Sequence, residues 1–93
     1  MKTFQLDGKP KILEFTNYER KEETVLFREI FSVLENEKNI EIGKKQIGPC
    51  EDFYQCKIDN APFTLFFDVD YGTCIRAEDQ KVIEKLKMLF ENN

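Results

Sequence analysis

Histidine is absent from the 93-residue chain, and with it go the commonest acid/base group near neutral pH and the commonest metal ligand. Every Ser/His or Cys/His nucleophilic mechanism is thereby excluded. Tryptophan is absent as well, so the nine phenylalanines must supply much of the core. No apolar run approaches the roughly 20 residues of a membrane-spanning helix, and Lys2 is not followed by the apolar stretch of an export signal. The cysteines, Cys50, Cys56 and Cys74, are three in number and contain no C-x-x-C pair. Their spacing fits neither a zinc site nor a disulfide framework, so the expectation is free, mostly buried thiols in a reducing cytoplasm.

What is present suits one small folded domain. The apolar fraction of 41% is enough for a single two-layer core and argues against disorder. Net charge is -4, but the deficit is localised. Positions 1 to 45 balance, whereas from 46 to 80 Glu51, Asp52, Asp59, Asp68, Asp70, Glu78 and Asp79 face only Lys57 and Arg76. An acidic stretch of this kind disfavours nucleic acid and anionic membranes and favours a basic partner.

Periodicity predicts the elements in order. Thr3 to Leu6 and Lys11 to Phe15 read as a loose edge hairpin around Asp7-Gly8. Thr16 and Glu19 have capping-box spacing, and the stripe Leu26, Phe27, Ile30, Phe31, Leu34 predicts a helix from about Asn17 to Asn36. Ile40 to Ile42 alternates as a strand that Gly43 bends or ends, Asp52 to Ile58 is a second strand, and Asp59 to Pro62 is a turn. Phe63, Leu65, Phe67 and Val69 then alternate with Thr64, Phe66, Asp68 and Asp70. A one-residue slip would bury both aspartates, which pins the register. Tyr71-Gly72 permits a reversal into a short strand over Thr73 to Arg76. Glu78 and Asp79 open a final helix carrying Val82, Ile83, Leu86, Leu89 and Phe90. The expected fold is α+β, a mostly antiparallel sheet with two amphipathic helices on one face, in the order ββαββββα.

The stretch LFFDVDYGT carries the least ordinary chemistry. It approaches the D-x-D-G-T of haloacid dehalogenases, but Tyr71 interrupts the motif and the remaining 23 residues are too few for that long domain. A calcium loop needs a third oxygen ligand at Gly72, a glycine at Thr73 and a glutamate at Asp79, so only Asp68 and Asp70 fit. Solvated carboxylates paired with Lys57 and Arg76 across the sheet are the plain structural reading. Phe53 and Phe66 on an outer face have acidic neighbours, the wrong sign for stacking nucleic-acid bases.

The run FFDVDYGTCIRAED, in a small acidic α+β chain without a catalytic constellation, resembles the immunity proteins of bacterial polymorphic and contact-dependent toxin systems. That resemblance implies a non-enzymatic, cytoplasmic protein that binds a cognate basic toxin, a nuclease being the expected kind, and needs no cofactor. The expected contact residues are Asp68, Asp70, Tyr71, Glu78 and Asp79, then Glu51, Asp52 and Phe66, with the aromatics as anchors and the acids steering association. A monomer is the expected free state. Two rival readings stand beside it: a small metal-dependent enzyme or metal-binding protein using Asp68 and Asp70, and an interaction module that adds a partner strand to a sheet edge.

Overall fold

The computed structural model describes residues 1–93. Six strands form one antiparallel sheet: β1 (Thr3–Phe4), β2 (Ile12–Phe15), β3 (Ile40–Ile47), β4 (Asp52–Ile58), β5 (Ala61–Asp68) and β6 (Gly72–Arg76), with helices α1 (Glu23–Glu35) and α2 (Gln80–Glu91). Chain order is ββαββββα, as the periodicity predicts, and spatial order is β1-β2-β6-β5-β4-β3. The strand after α1 thus starts at the far edge, and successive hairpins bring the chain back until β6 meets β2. Every pairing is antiparallel.

Register decides which face is buried. Leu13 lies opposite Ile75, Ile75 opposite Leu65, and Leu65 opposite Tyr54. Those residues share a face with Phe63, Cys56 and Ile58, and all but the half-buried Tyr54 join Leu26, Ile30, Leu34, Val82, Ile83, Leu86 and Phe90 in one buried cluster. Both helices therefore cover the same side. Leu65, Ile75, Leu13, Ile30, Leu34, Leu86 and Phe90 are wholly inaccessible, and each such side chain contributes roughly 1.5–3 kcal/mol of burial. Phe15 meets Phe90 edge-on at 4.8 Å, tying α2 to the β2 side of the sheet. The opposite face has no helix, and across it runs the row Phe4, Glu14, Cys74, Phe66, Phe53 and Gln46.

Among the boundaries that differ from the sequence expectation, including Ala61 and Pro62, which open β5 and do not belong to the turn, three have a local reason. The first helix begins at Glu23, not Asn17, because the Asn17 side chain captures the backbone of Lys21: Nδ2 donates to the carbonyl at 2.6 Å and Oδ1 accepts the amide at 3.0 Å. Arg20 takes positive φ inside this turn, so the Thr16/Glu19 box caps nothing and Glu22 holds the N-cap position without a side-chain bond. An Asx-type side-chain bond has outcompeted the helix. The second difference is β3, which runs through Gly43 to Ile47 across a bulge between Ile42 and Lys45. Third, Val69 leaves β5 for the turn and is exposed.

At the bulge, a Cβ on Gly43 would lie 2.5 Å from the Gln55 carbonyl oxygen, backbone that cannot swing aside. Gly43→Ala should therefore destabilise the fold by about 1–3 kcal/mol, read as a lower urea midpoint. Gly8→Ala, with nothing within 4 Å of its added Cβ, meets only the cost of a positive φ and should lose less.

Candidate functional site

The turns β3–β4 (Gly48 to Glu51) and β5–β6 (Val69 to Tyr71) emerge at the same end of the sheet, because Asp52 at the start of β4 pairs with Phe67 near the end of β5. The hairpins are neighbours, about 10 Å apart by strand spacing. Their tips carry the three most exposed large apolar side chains of the chain: Tyr71 at 91%, Ile47 at 82% and Val69 at 67%. Exposed apolar groups are ordinary when scattered; here three lie at one end of the sheet.

Several acids lie at the same end. Asp68 Oδ1 accepts the amides of Asp70 at 2.7 Å and Tyr71 at 3.2 Å, so this carboxylate shapes the turn and leaves Tyr71 projecting. Neither Asp68 nor Asp70 joins any of the six ion pairs, and the expected pairing with Lys57 and Arg76 does not form. Arg76 reaches Glu78 instead, at 3.4 Å. Glu51 and Asp52 divide between the faces. Asp52 points to the helix side, where Lys45 lies 3.4 Å away, while the Glu51 charge reaches Cys74 on the open face. At the start of α1, the Glu23 carboxylate lies over Gly72, where an added Cβ would be 2.7 Å from its Oε2. Glu23 thus joins the acidic end, although residue spacing alone gives no hint of it; only the docking of α1 onto β6 does.

Glu78 and Asp79 do not belong to this site. They follow Arg76 at the far end of β6, about 15 Å along the strand from the Tyr71 turn. Glu78 is paired with Lys11 at 2.5 Å, and Asp79 caps α2 by accepting the Lys81 amide at 2.9 Å. Both remain exposed, but each is held by contacts at the start of α2. Phe66 sits half-buried on the open face against Phe53, ring centroids 6.1 Å apart, beneath the tips and not on them. No group of three or more Cys, Asp or Glu side chains lies close enough to hold a metal ion, and no helix is long and apolar enough to cross a membrane.

Comparison with protein-family models, curated proteins and solved structures finds no match.

The cysteines divide by environment. All three are free, as expected; Cys50 is exposed on the β3–β4 tip, Cys56 is buried and Cys74 is half-buried. Burial pushes Cys56 up to about 11, against weaker backbone hydrogen bonds, and pushes Cys74 up to about 11 with help from the charges of Glu14 and Glu51. At about pH 8 only about one such thiol in a thousand is ionised. Iodoacetamide in native buffer should therefore label Cys50 alone, with the other two reacting after denaturation; mass spectrometry of the peptides reads this directly.

A second prediction concerns Glu78, whose carboxyl is held below the usual carboxylate range first by the Lys11 hydrogen bond and then by its charge. A folded-state pKa below the unfolded one contributes stability above the unfolded value, lost as pH falls through the folded value. Lys11→Met should flatten that part of the profile. Urea midpoints between about pH 6 and about pH 2 should fall less steeply in the variant than in the parent.

Proposed function

We propose that the hairpin end of the sheet is a protein-docking surface, and that the chain is a non-enzymatic immunity protein that occludes a basic toxin domain in the cytoplasm. The observation that carries this reading is the grouping of Tyr71, Val69 and Ile47 at one end amid the carboxylates of Asp68, Asp70, Glu51 and Glu23. A central set of exposed apolar anchors, one aromatic, ringed by charge of a single dominant sign is the composition of a steered protein interface. The resemblance of FFDVDYGTCIRAED to immunity proteins supplies the class of partner, and a nuclease supplies the basic surface that such acids would meet. Binding there is occlusion, in which the rigid sheet presents both tips and needs no reorganisation.

The division of labour follows from exposure. Tyr71 and Ile47 provide buried area on association, whereas Asp70 and Glu51 raise the encounter rate. Asp68 acts twice, through charge and through the turn that it closes.

A growth assay with co-expressed basic nuclease toxin domains tests the reading. Protection against one of them is expected, with Tyr71→Ala weakening the complex by about 2 kcal/mol through faster dissociation. The pair Asp70→Lys and Glu51→Lys should lower the association rate at least about tenfold at low salt, with a smaller loss at high salt. Association by the protecting chain that is indifferent to both changes contradicts the placement of the site.

A further inference from the structure

The face of the sheet opposite the helices carries a hollow of about 530 Å³ beside the β3–β4 tip. Phe53 and Phe66 line it side by side, a cross-strand pair with ring centroids 6.1 Å apart, both half-buried. The turn from Gly48 to Glu51 walls it at the tip, and Gln55 and Thr64, the next pair on this face, close it toward the middle of the sheet. The charge around the rings has one sign. Glu51 is the only charged residue lining the hollow. Alternation along β5 puts Asp68 on the same face beside Phe66, and Glu14 lies in the row that runs through Cys74 to the two rings. None of these three carboxylates joins any of the six ion pairs. Burial first, and then the charges of Glu14 and Glu51, raise the Cys74 thiol beside Phe66. Basic side chains stand apart: none of Lys44, Lys57 and Arg76 lines the hollow, and Arg76 is engaged by Glu78 at 3.4 Å.

We propose that this hollow receives one arginine side chain of the basic protein partner, its guanidinium stacked on Phe53 and Phe66 and paired with Glu51. Chemistry selects the occupant. The faces of the two rings attract a cation, and the planar fork of a guanidinium can lie on a ring while its donors reach a carboxylate at the rim. A lysine ammonium is a compact and strongly hydrated charge that gains less from stacking. An acidic side chain would face three carboxylates that no basic group balances. The hollow has room for the whole arginine side chain with its flanking backbone. Position links hollow and tips, since the turn that walls the one belongs to the other, and a partner seated on the hairpin end reaches the rings in the same contact. The inference rests on the reading that a basic protein meets that end, and it names the side chain that the partner inserts.

The probe is acetyl-Gly-Arg-Gly-amide, so the test proceeds without the partner. Titrated into the ¹⁵N-labelled protein, it should give saturable shifts at Glu51, Phe53, Gln55, Thr64 and Phe66. Peptides with citrulline, lysine or leucine in place of arginine should bind more weakly; citrulline keeps the shape and loses the charge. Glu51→Gln should weaken the arginine probe about three- to fivefold. Phe53→Leu should weaken it as well, with the dispersion of the spectrum reporting that the variant is folded. Glu78→Gln removes the same charge at the far end of β6 and should leave probe binding unchanged. Equal or tighter binding of any of the three other peptides, full affinity in Glu51→Gln, or an equal loss in Glu78→Gln each overturn the assignment. Protection in the growth assay is read without the probe, so failure of the hollow and failure of the toxin reading are separately visible.

Discussion

The antiparallel register that places Leu65 opposite both Tyr54 and Ile75 is the constraint on which the rest of the molecule depends. β5 lies inside the sheet with a partner on each side, and its inward residues Phe63 and Leu65 are almost wholly enclosed. Shifting β5 by one position would send these into solvent and bring Asp68 toward the core, a loss of several kcal/mol from burial alone before the carboxylate is counted. Cooperation between neighbours makes the register rigid: Phe63 faces Cys56 and Phe67 faces Thr73, so both flanking strands would have to move as well.

From that register the functional geometry follows without further assumptions. Antiparallel hairpins alternate ends, so the tips before β4 and after β5 come out together and the segment after β6 comes out opposite. This one topological fact gathers Ile47, Glu51, Val69, Asp70 and Tyr71 and sends Glu78 and Asp79 away to cap and brace α2. The bulge at Gly43 has a related consequence. By changing the phase of β3, it puts Lys45 on the helix side, opposite Tyr54, where it meets Asp52.

Much of this was legible in the residues. Period-two alternation in β5 and the stripes of both helices follow from burial on one side, and burial is what hydrophobic patterning records. The failures cluster where a side chain competes with backbone or where distant elements meet. The Asn17 side chain displaces a capping box that Thr16 and Glu19 spell correctly, and nothing in local spacing ranks one bond above the other. Likewise, Glu78 and Asp79 look like members of an acidic site in one dimension, because sequence proximity to Asp70 hides the length of β6 between them. The partial exposure of Phe27 and Phe31 is the least legible feature, since both fit a core stripe and only the docking of α1 leaves them half-buried.

The adjacency of the two hairpin tips is the claim on which the proposed docking surface rests, and Cys50 offers a native handle on it. A nitroxide attached to Cys50 alone should broaden the amide signals of Val69 to Gly72 strongly and leave those of Glu78 to Lys81 sharp, because the register puts the first group beside the label and the second across the sheet. Sharp signals at 69 to 72 combined with broadening at 78 to 81 would contradict the register, and with it the placement of the surface.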